Sequence, residues 1–443
     1  MEQLLIENGT VVTLGERNRI LEGHDVLVQG DTVARIAPHG TFQAGPARRL
    51  DASGFLVLPG FINVHMHFYS TLVRGFARAV PAKSFSEVLA HLWWRLDRAL
   101  SLEDVYISAK VALLEAVRHG TTTLIDHHAS PGAVTGSLHA IARAVKEVGL
   151  RASLCYELSD RDGGEVAEAG LEENAAFLEW CRAAGDSRLA ALFGLHASFT
   201  LSDETLQRAA QLAADLGAGF HVHVAEAPCD QEQCLAEHGC RVVERLHRHG
   251  VLGPRSVAAH CVHIDARERE LLAASNTAVA HCPQSNANNA VGIADVLALA
   301  RAGVLVGLGT DAVTVDMREE LRAALWLRHL AAQDPSAGFV ETCSLLLDGN
   351  RLIAERCWPG LHLGQLVEGG AADLILLDYH PPTPFDATTF LGHLLFGLAG
   401  ARVDTTIVGG RVVMAQGQLA AELDAAAVAA EARERARQLW ERL

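Results

Sequence analysis

His65 and His67 stand two positions apart at the end of the apolar run Gly60-Phe-Ile-Asn-Val-His65-Met-His67. Alternate side chains of an extended strand share a face, so two imidazoles at this spacing can close on one cation from a single strand. Among 22 histidines one such pair would mean little. Other apolar segments end in the same way: in His127-His128, in His196, in His221-Val-His223 with Glu226 beyond, in His260 and His263, in His281, and in Asp311. Imidazoles with one carboxylate suit zinc or iron(II), held by three or four protein groups with one position open to water. The only lysines are Lys83, Lys110 and Lys146, none at such a segment end, so no carboxylated lysine is at hand to bridge two ions. The expectation is one divalent metal, zinc ahead of iron.

These residues are spread over about 250 positions, and only a fold that gathers strand ends can bring them together. Eight segments read as strands: Phe61 to His67, Thr122 to His127, Ala152 to Leu158, Leu189 to His196, Phe220 to Ala225, Ser256 to His263, Thr277 to Cys282 and Val304 to Thr310. Helical patterns lie between them, as in Ser86 to Ala99, Leu102 to His119 and Asp203 to Leu216. This alternation predicts an α/β fold, a (β/α)8 TIM barrel over residues 60–364, whose chemistry sits at the carboxyl ends of the strands. The first 59 residues read as a β-meander too small to hold a core, and Ala372 to Asp378 and Thr405 to Met414 read as strands at the other end. Residues 1–59 and 365–443 are therefore expected to form one small β-sandwich built from both termini, followed by a surface helix after about Leu419.

A formal net charge of −16 argues against binding nucleic acid or an anionic membrane, and favours a small neutral or cationic ligand. Nine cysteines without a Cys-x-x-Cys pair read as free thiols of a reducing cytoplasm rather than a disulfide framework. The N-terminal stretch has no signal-peptide pattern, and no run is long and apolar enough to span a bilayer.

Five ordered motifs carry a further likeness: Pro59-Gly-Phe-Ile-Asn63-x-His65-x-His67, His223-Val-Ala-Glu226, Ala259-His260-Cys-Val-His263, His281-Cys-Pro-x-Ser-Asn286 and Gly307-Leu-Gly-Thr-Asp311. In these the chain resembles the amidohydrolase superfamily, in the branch of cytosine, guanine and methylthioadenosine deaminases and triazine hydrolases. Asp126-His-His-Ala-Ser-Pro131 and Leu92-Trp-Trp-Arg-Leu96 make it most similar to the SsnA group of aminohydrolases. The resemblance implies that His65, His67, His223 and Asp311 hold the metal, that Glu226 is the acid–base residue, and that His260 orients the attacking water. Activated by the metal near neutral pH, that water would attack the amine-bearing carbon of a compact purine-, pyrimidine- or triazine-like ring. Glu226 would protonate the ring nitrogen, Asp311 would take the water's proton, and ammonia would leave.

His196 is similar to a substrate-contacting histidine of the branch, and His128 and His281 are further substrate-binding candidates. In the methylthioadenosine and S-adenosylhomocysteine deaminases a glutamate and arginines hold the ribose and the tail. Here Leu92 to Leu96 and Tyr156-Glu157 occupy those regions, which directs the expectation to a free base rather than an adenosine-type nucleoside. Hydrolysis of another C–N or ring substituent is the nearest alternative. A non-catalytic barrel with a structural metal is an alternative of another class, which the presence of both Glu226 and His260 speaks against. The resemblance also implies a homo-oligomer, a dimer or larger.

Overall fold

A computed structural model describes residues 3–42, 47–77 and 80–443; the first two residues of the terminal module lie outside them. Eight parallel strands alternate with helices: β1 (Phe61–Met66), β2 (Thr121–Asp126), β3 (Arg151–Leu154), β4 in two pieces (Leu189–Ala191 and Phe193–Ala197), β5 (Phe220–Val224), β6 (Val257–His260), β7 (Ala278–His281) and β8 (Val306–Leu308). Neighbours pair in parallel from β1 through the first piece of β4, and from its second piece through β8. Leu192 joins the two halves, donating its N–H to Leu154 at 3.2 Å. β8 is only three residues long, so side chains complete the seam with β1. Asn350 receives Leu308 N–H at 2.6 Å and donates Nδ2 to the carbonyls of Ile62 and Leu308 at 2.5 and 3.0 Å, while Asn63 Nδ2 donates to Thr310 Oγ1 at 2.7 Å. Beyond that seam Met66 bridges Asp311, and a Cβ on Gly309 would lie 2.6 Å from the Cβ of His65. Only glycine lets β8 come this close.

Like β8, β3 and β6 are shorter than their sequence implies. β3 ends at Leu154, and beyond it Tyr156 and Leu158 make only isolated bridges to His128 and Leu195. β6 ends at His260, because His260 and Cys261 adopt left-handed φ angles of 71° and 50° that turn the chain out of the sheet.

The strands of both termini form one mixed sheet of nine, to which residues 3–59 contribute five strands and residues 374–419 four. Phe55–Pro59 pairs with Leu374–Asp378 antiparallel, and the sheet curls until Thr32 bridges Ala371. Leu4, Ile6, Val26, Val57, Leu374 and Ile407 pack inside the fold, the small sandwich expected from the two chain ends. It is tied to the barrel by a buried pair: Arg151, the first residue of β3, grips Asp373 bidentately at 2.7 and 3.0 Å, and Asp373 also receives the N–H of Gly409 at 2.8 Å. The helix Ala425–Arg442 returns to the barrel, where Trp440 Nε1 donates to Leu72 O at 2.8 Å. Among the described residues no helix is long and apolar enough to cross a membrane.

Candidate active site

The carboxyl ends of β1, β5 and β8 bring together His65, His67, His223 and Asp311. Their orientations are set from behind. His67 Nδ1 donates to His127 O at 2.5 Å and His223 Nδ1 to His196 O at 3.0 Å, so in both rings Nε2 is the free acceptor. His65 Nδ1 lies 2.8 Å from His221 Nε2. The acceptor nitrogens converge: His67 Nε2 lies 3.3 Å from His223 Nε2 and 3.0 Å from Asp311 Oδ1, and His65 Nε2 is 3.9 Å from the same oxygen. The donor atoms of His65, His67 and Asp311 all lie within 4.8 Å of one another. His65 Nε2 is buried with no hydrogen-bond partner among the described residues, a deficit of about 1–3 kcal/mol that a cation would remove. Three imidazole nitrogens and a carboxylate oxygen around one point fit a divalent metal.

The acid–base groups stand beside that point. Ala225, His260 and Asp311 all have left-handed φ, of 46°, 71° and 54°, at the ends of β5, β6 and β8. Strained turns of this kind hold side chains at functional positions, and here they present Glu226, His260 and Asp311 to one space. His260 Nδ1 donates to Asn286 Oδ1 at 2.9 Å, which leaves Nε2 facing Glu226 Oε2 at 3.5 Å. Asn289 Nδ2 donates to Glu226 Oε1 at 3.2 Å. Burial raises the Glu226 carboxyl to about 7, against the opposing pull of His260, so its proton can be given or taken near neutrality. Burial would also raise Asp311, but its neighbours His67, His260 and Ser285 outweigh this and keep it ionised. Burial lowers His65 and His223 well below the ordinary histidine value, which keeps both rings neutral.

Above the cluster opens a cleft whose largely apolar and aromatic lining, with a few convergent polar groups, is that of a small-molecule site. Its floor carries His67, His223, Glu226 and Asp311, and its walls include His196, Glu157 and Asp97 with Tyr69, Phe85, Leu89, Trp93, Trp94 and Phe199. A π-helical turn at Leu89–Trp93, within the helical stretch Phe85–Ala99, carries both tryptophans to the wall. His196 therefore lies where a substrate contact is expected; two other candidates do not. His128 turns away from the cleft, with Nε2 2.9 Å from Ser130 Oγ, and its neighbour His127 enters the cluster instead, stacked on His221 at 4.5 Å. His281 is buried at the end of β7 and is not part of the cleft lining. His263, beyond the turn that ends β6, contacts Val291 O at 2.6 Å.

Glu157, notable in the sequence only for the region it occupies, is part of the cleft wall. Its side chain is 3% exposed, with Oε1 3.2 Å from His67 Nδ1 and Oε2 3.8 Å from His196 Nε2. A carboxylate inside the apolar run Ala152-Ser-Leu-Cys-Tyr-Glu157-Leu was the signal, since an acid so placed is buried and calls for a partner. Behind it Asp97 pairs with Arg161, whose guanidinium lies 5.3 Å from the Trp94 ring.

The sequence profile of the amidohydrolase family matches residues 56–413. The chain belongs to the amidohydrolase family. An amidohydrolase relative from Pelotomaculum thermopropionicum, named 5-methylthioadenosine/S-adenosylhomocysteine deaminase, is 35% identical over 450 residues and 100% of both chains. A 5'-deoxyadenosine deaminase from Methanobrevibacter smithii is 32% identical over 88% of each chain. Among solved structures, an adenosine deaminase from Xanthomonas campestris with bound zinc superposes with a TM-score of 0.86 at 26% identity, over 99% of both chains. An Escherichia coli guanine deaminase shares the fold, with a TM-score of 0.80 at 20% identity, over 94% of this chain and 100% of that one. With the family's profile and full-length deaminase relatives in agreement, this amidohydrolase is a hydrolase of carbon–nitrogen bonds other than peptide bonds, and its cluster is a divalent-metal site.

Proposed function

We propose that the chain is a zinc-dependent aminohydrolase that removes an exocyclic amine from a purine-, pyrimidine- or triazine-like ring, with His65, His67, His223 and Asp311 as metal ligands. The observation that carries this reading is the convergence of His65, His67 and His223 Nε2 and Asp311 Oδ1 at and beneath the cleft floor, with Glu226 and His260 beside them. When bound, a divalent ion supplies water of lowered pKa at neutral pH. Glu226, held by Asn289, gives its proton to the ring nitrogen next to the amine-bearing carbon. Asp311, whose Oδ2 accepts a hydrogen bond from Ser285, takes a proton from the attacking water. His260, fixed by Asn286, directs its free Nε2 at the water. Asp311 hands that proton on to the amine, which leaves as ammonia.

The zinc in the adenosine deaminase neighbour supports zinc over iron, and the names of the relatives support a purine ring. Those names also return adenosine-type nucleosides to the candidates, beside the free bases that the sequence favoured. A cytoplasmic setting and a homo-oligomer belong to the same proposal; the nine free cysteines support the first. The test is ammonia release by zinc-loaded protein from free bases, adenosine-type nucleosides and aminotriazines. Release should fall about 10³-fold in Glu226→Gln with the zinc retained. Release that survives that substitution contradicts the assignment, and loss of another substituent without ammonia moves the reading to a different hydrolysis.

A further inference from the structure

Glu157 is the polar group that the proposed chemistry leaves unused. It sits three residues beyond β3 with a nearly buried side chain on the cleft wall, and Oε1 has no hydrogen-bond partner among the described residues. The nearest candidate donor, His67 Nδ1 at 3.2 Å, has one N–H, and the carbonyl of His127 at 2.5 Å already takes it. His127 Nδ1, 3.6 Å away, is beyond hydrogen-bond reach. The other oxygen faces His196, whose protonation follows from its surroundings. Thr200 Oγ1 donates to Ala197 O at 3.1 Å and so accepts from His196 Nδ1 at 2.8 Å, which leaves His196 Nε2 a bare acceptor. Two acceptors, Glu157 Oε2 and His196 Nε2, thus stand 3.8 Å apart on one wall of the cleft with no proton between them. These two acceptors, on otherwise buried side chains, receive no donor from the protein, and the cleft is where one can enter. The lining adds Asp97, Asp230, Glu226 and Asp311 and, among the described residues, no lysine or arginine.

We propose that Glu157 is a specificity-determining residue: with His196 it accepts hydrogen bonds from adjacent N–H donors on the ring edge away from the reacting amine, so the site selects neutral or cationic, amine-rich heterocycles. A ring offering only acceptors or a negative charge at that edge is rejected, because it leaves both acceptors unpaired. This rests on the deaminase reading above and narrows it to a substrate class.

The test uses matched pairs in which each member keeps at least one removable amine: 2,6-diaminopurine against 6-amino-2-methoxypurine, and melamine against 2-amino-4,6-dimethoxy-1,3,5-triazine, with rates for the donor-rich members divided by their number of amines. Zinc-loaded wild type should favour the donor-rich member of at least one pair by on the order of 10²-fold in kcat/KM. Glu157→Gln should bring that ratio near unity with zinc content and melting temperature unchanged, and Glu157→Asp, which keeps the carboxylate, should restore part of the preference. Equal losses on both members of a pair in Glu157→Gln, or loss of zinc from that variant, would reduce Glu157 to a structural role and overturn the inference. If no compound releases ammonia, the deaminase reading fails and calorimetric binding to the zinc-loaded protein decides this inference separately. Tighter binding of a donor-rich member that vanishes in Glu157→Gln upholds it, whereas equal binding, or binding of neither, overturns it.

Discussion

The barrel holds two buried polar assemblies of opposite character. At the amino end of β3, Arg151 has its guanidinium spent on Asp373 and the carbonyl of Ser187, and Asp373 has both oxygens taken by Arg151, one of them also by Gly409. At the carboxyl ends of the strands, His65 Nε2, Glu157 Oε1, His260 Nε2 and both nitrogens of His127 are buried with no hydrogen-bond partner among the described residues. Buried polar atoms left unpaired cost stability, and a protein that satisfies one assembly fully while leaving the other open has not done so for want of donors. The closed assembly fastens the terminal sheet to the barrel. The open one is short of the positive charge and the N–H donors that a metal and a substrate would bring.

Substitutions should therefore separate the two regions. His223→Ala should remove the metal and reduce turnover by about 10³-fold or more, while changing the unfolding free energy of the chelated protein by only about 1 kcal/mol, the worth of its hydrogen bond to His196. Asp373→Ala should do the reverse. It strands a buried guanidinium and should cost about 3–5 kcal/mol in urea denaturation, with kcat per folded, metal-loaded molecule little changed. Equal effects of the two on stability would break the comparison. Replacing Arg151 and Asp373 together by Met and Leu should recover most of the loss, since an apolar pair leaves no unpaired charge.

A smaller effect concerns Glu320, which lies under the site on the helix Met317–Ala332 and accepts from Gln284 N and Nε2 at 3.1 and 2.8 Å. Burial raises its carboxyl from an ordinary 4.5 to about 8. The folded chain keeps this proton where the unfolded chain has given its proton up, so the contribution to stability is full below 4.5, is lost as pH rises to about 8, and is level beyond. The slope in that window is at most about 1.4 kcal/mol per pH unit, and Glu320→Gln should flatten it in urea titrations from pH 5 to 9. An unchanged slope would show that this carboxyl is not held neutral.

Alternation of strands and helices made the barrel legible, because buried parallel strands leave apolar runs that turn residues punctuate. The end of each run told which histidines and acids could meet, and the small sandwich was legible from strand patterns at both termini. What escaped was set by irregular backbone. After β2 the two histidines are adjacent, and nothing in a period of two says that His127 enters the cluster while His128 turns to Ser130. The segment after β3 leaves the strand pattern, so Glu157 looked like a departure from the resemblance when it is a wall of the cleft. Left-handed turns at His260 and Cys261 ended β6 early and sent His263 elsewhere, although neither residue type announces such a turn. Nothing in Leu92-Trp-Trp-Arg-Leu96 announces the π-helical turn that carries both tryptophans to the cleft.

The most direct test of the open assembly is a zinc titration of chelator-stripped protein, followed by calorimetry and by metal analysis after dialysis. The account predicts one ion per chain, bound tightly by the wild type and by Asp373→Ala, absent from His223→Ala, and accompanied by the appearance of ammonia-releasing activity. Retention of the ion by His223→Ala, or no tight ion in the wild type, would contradict it.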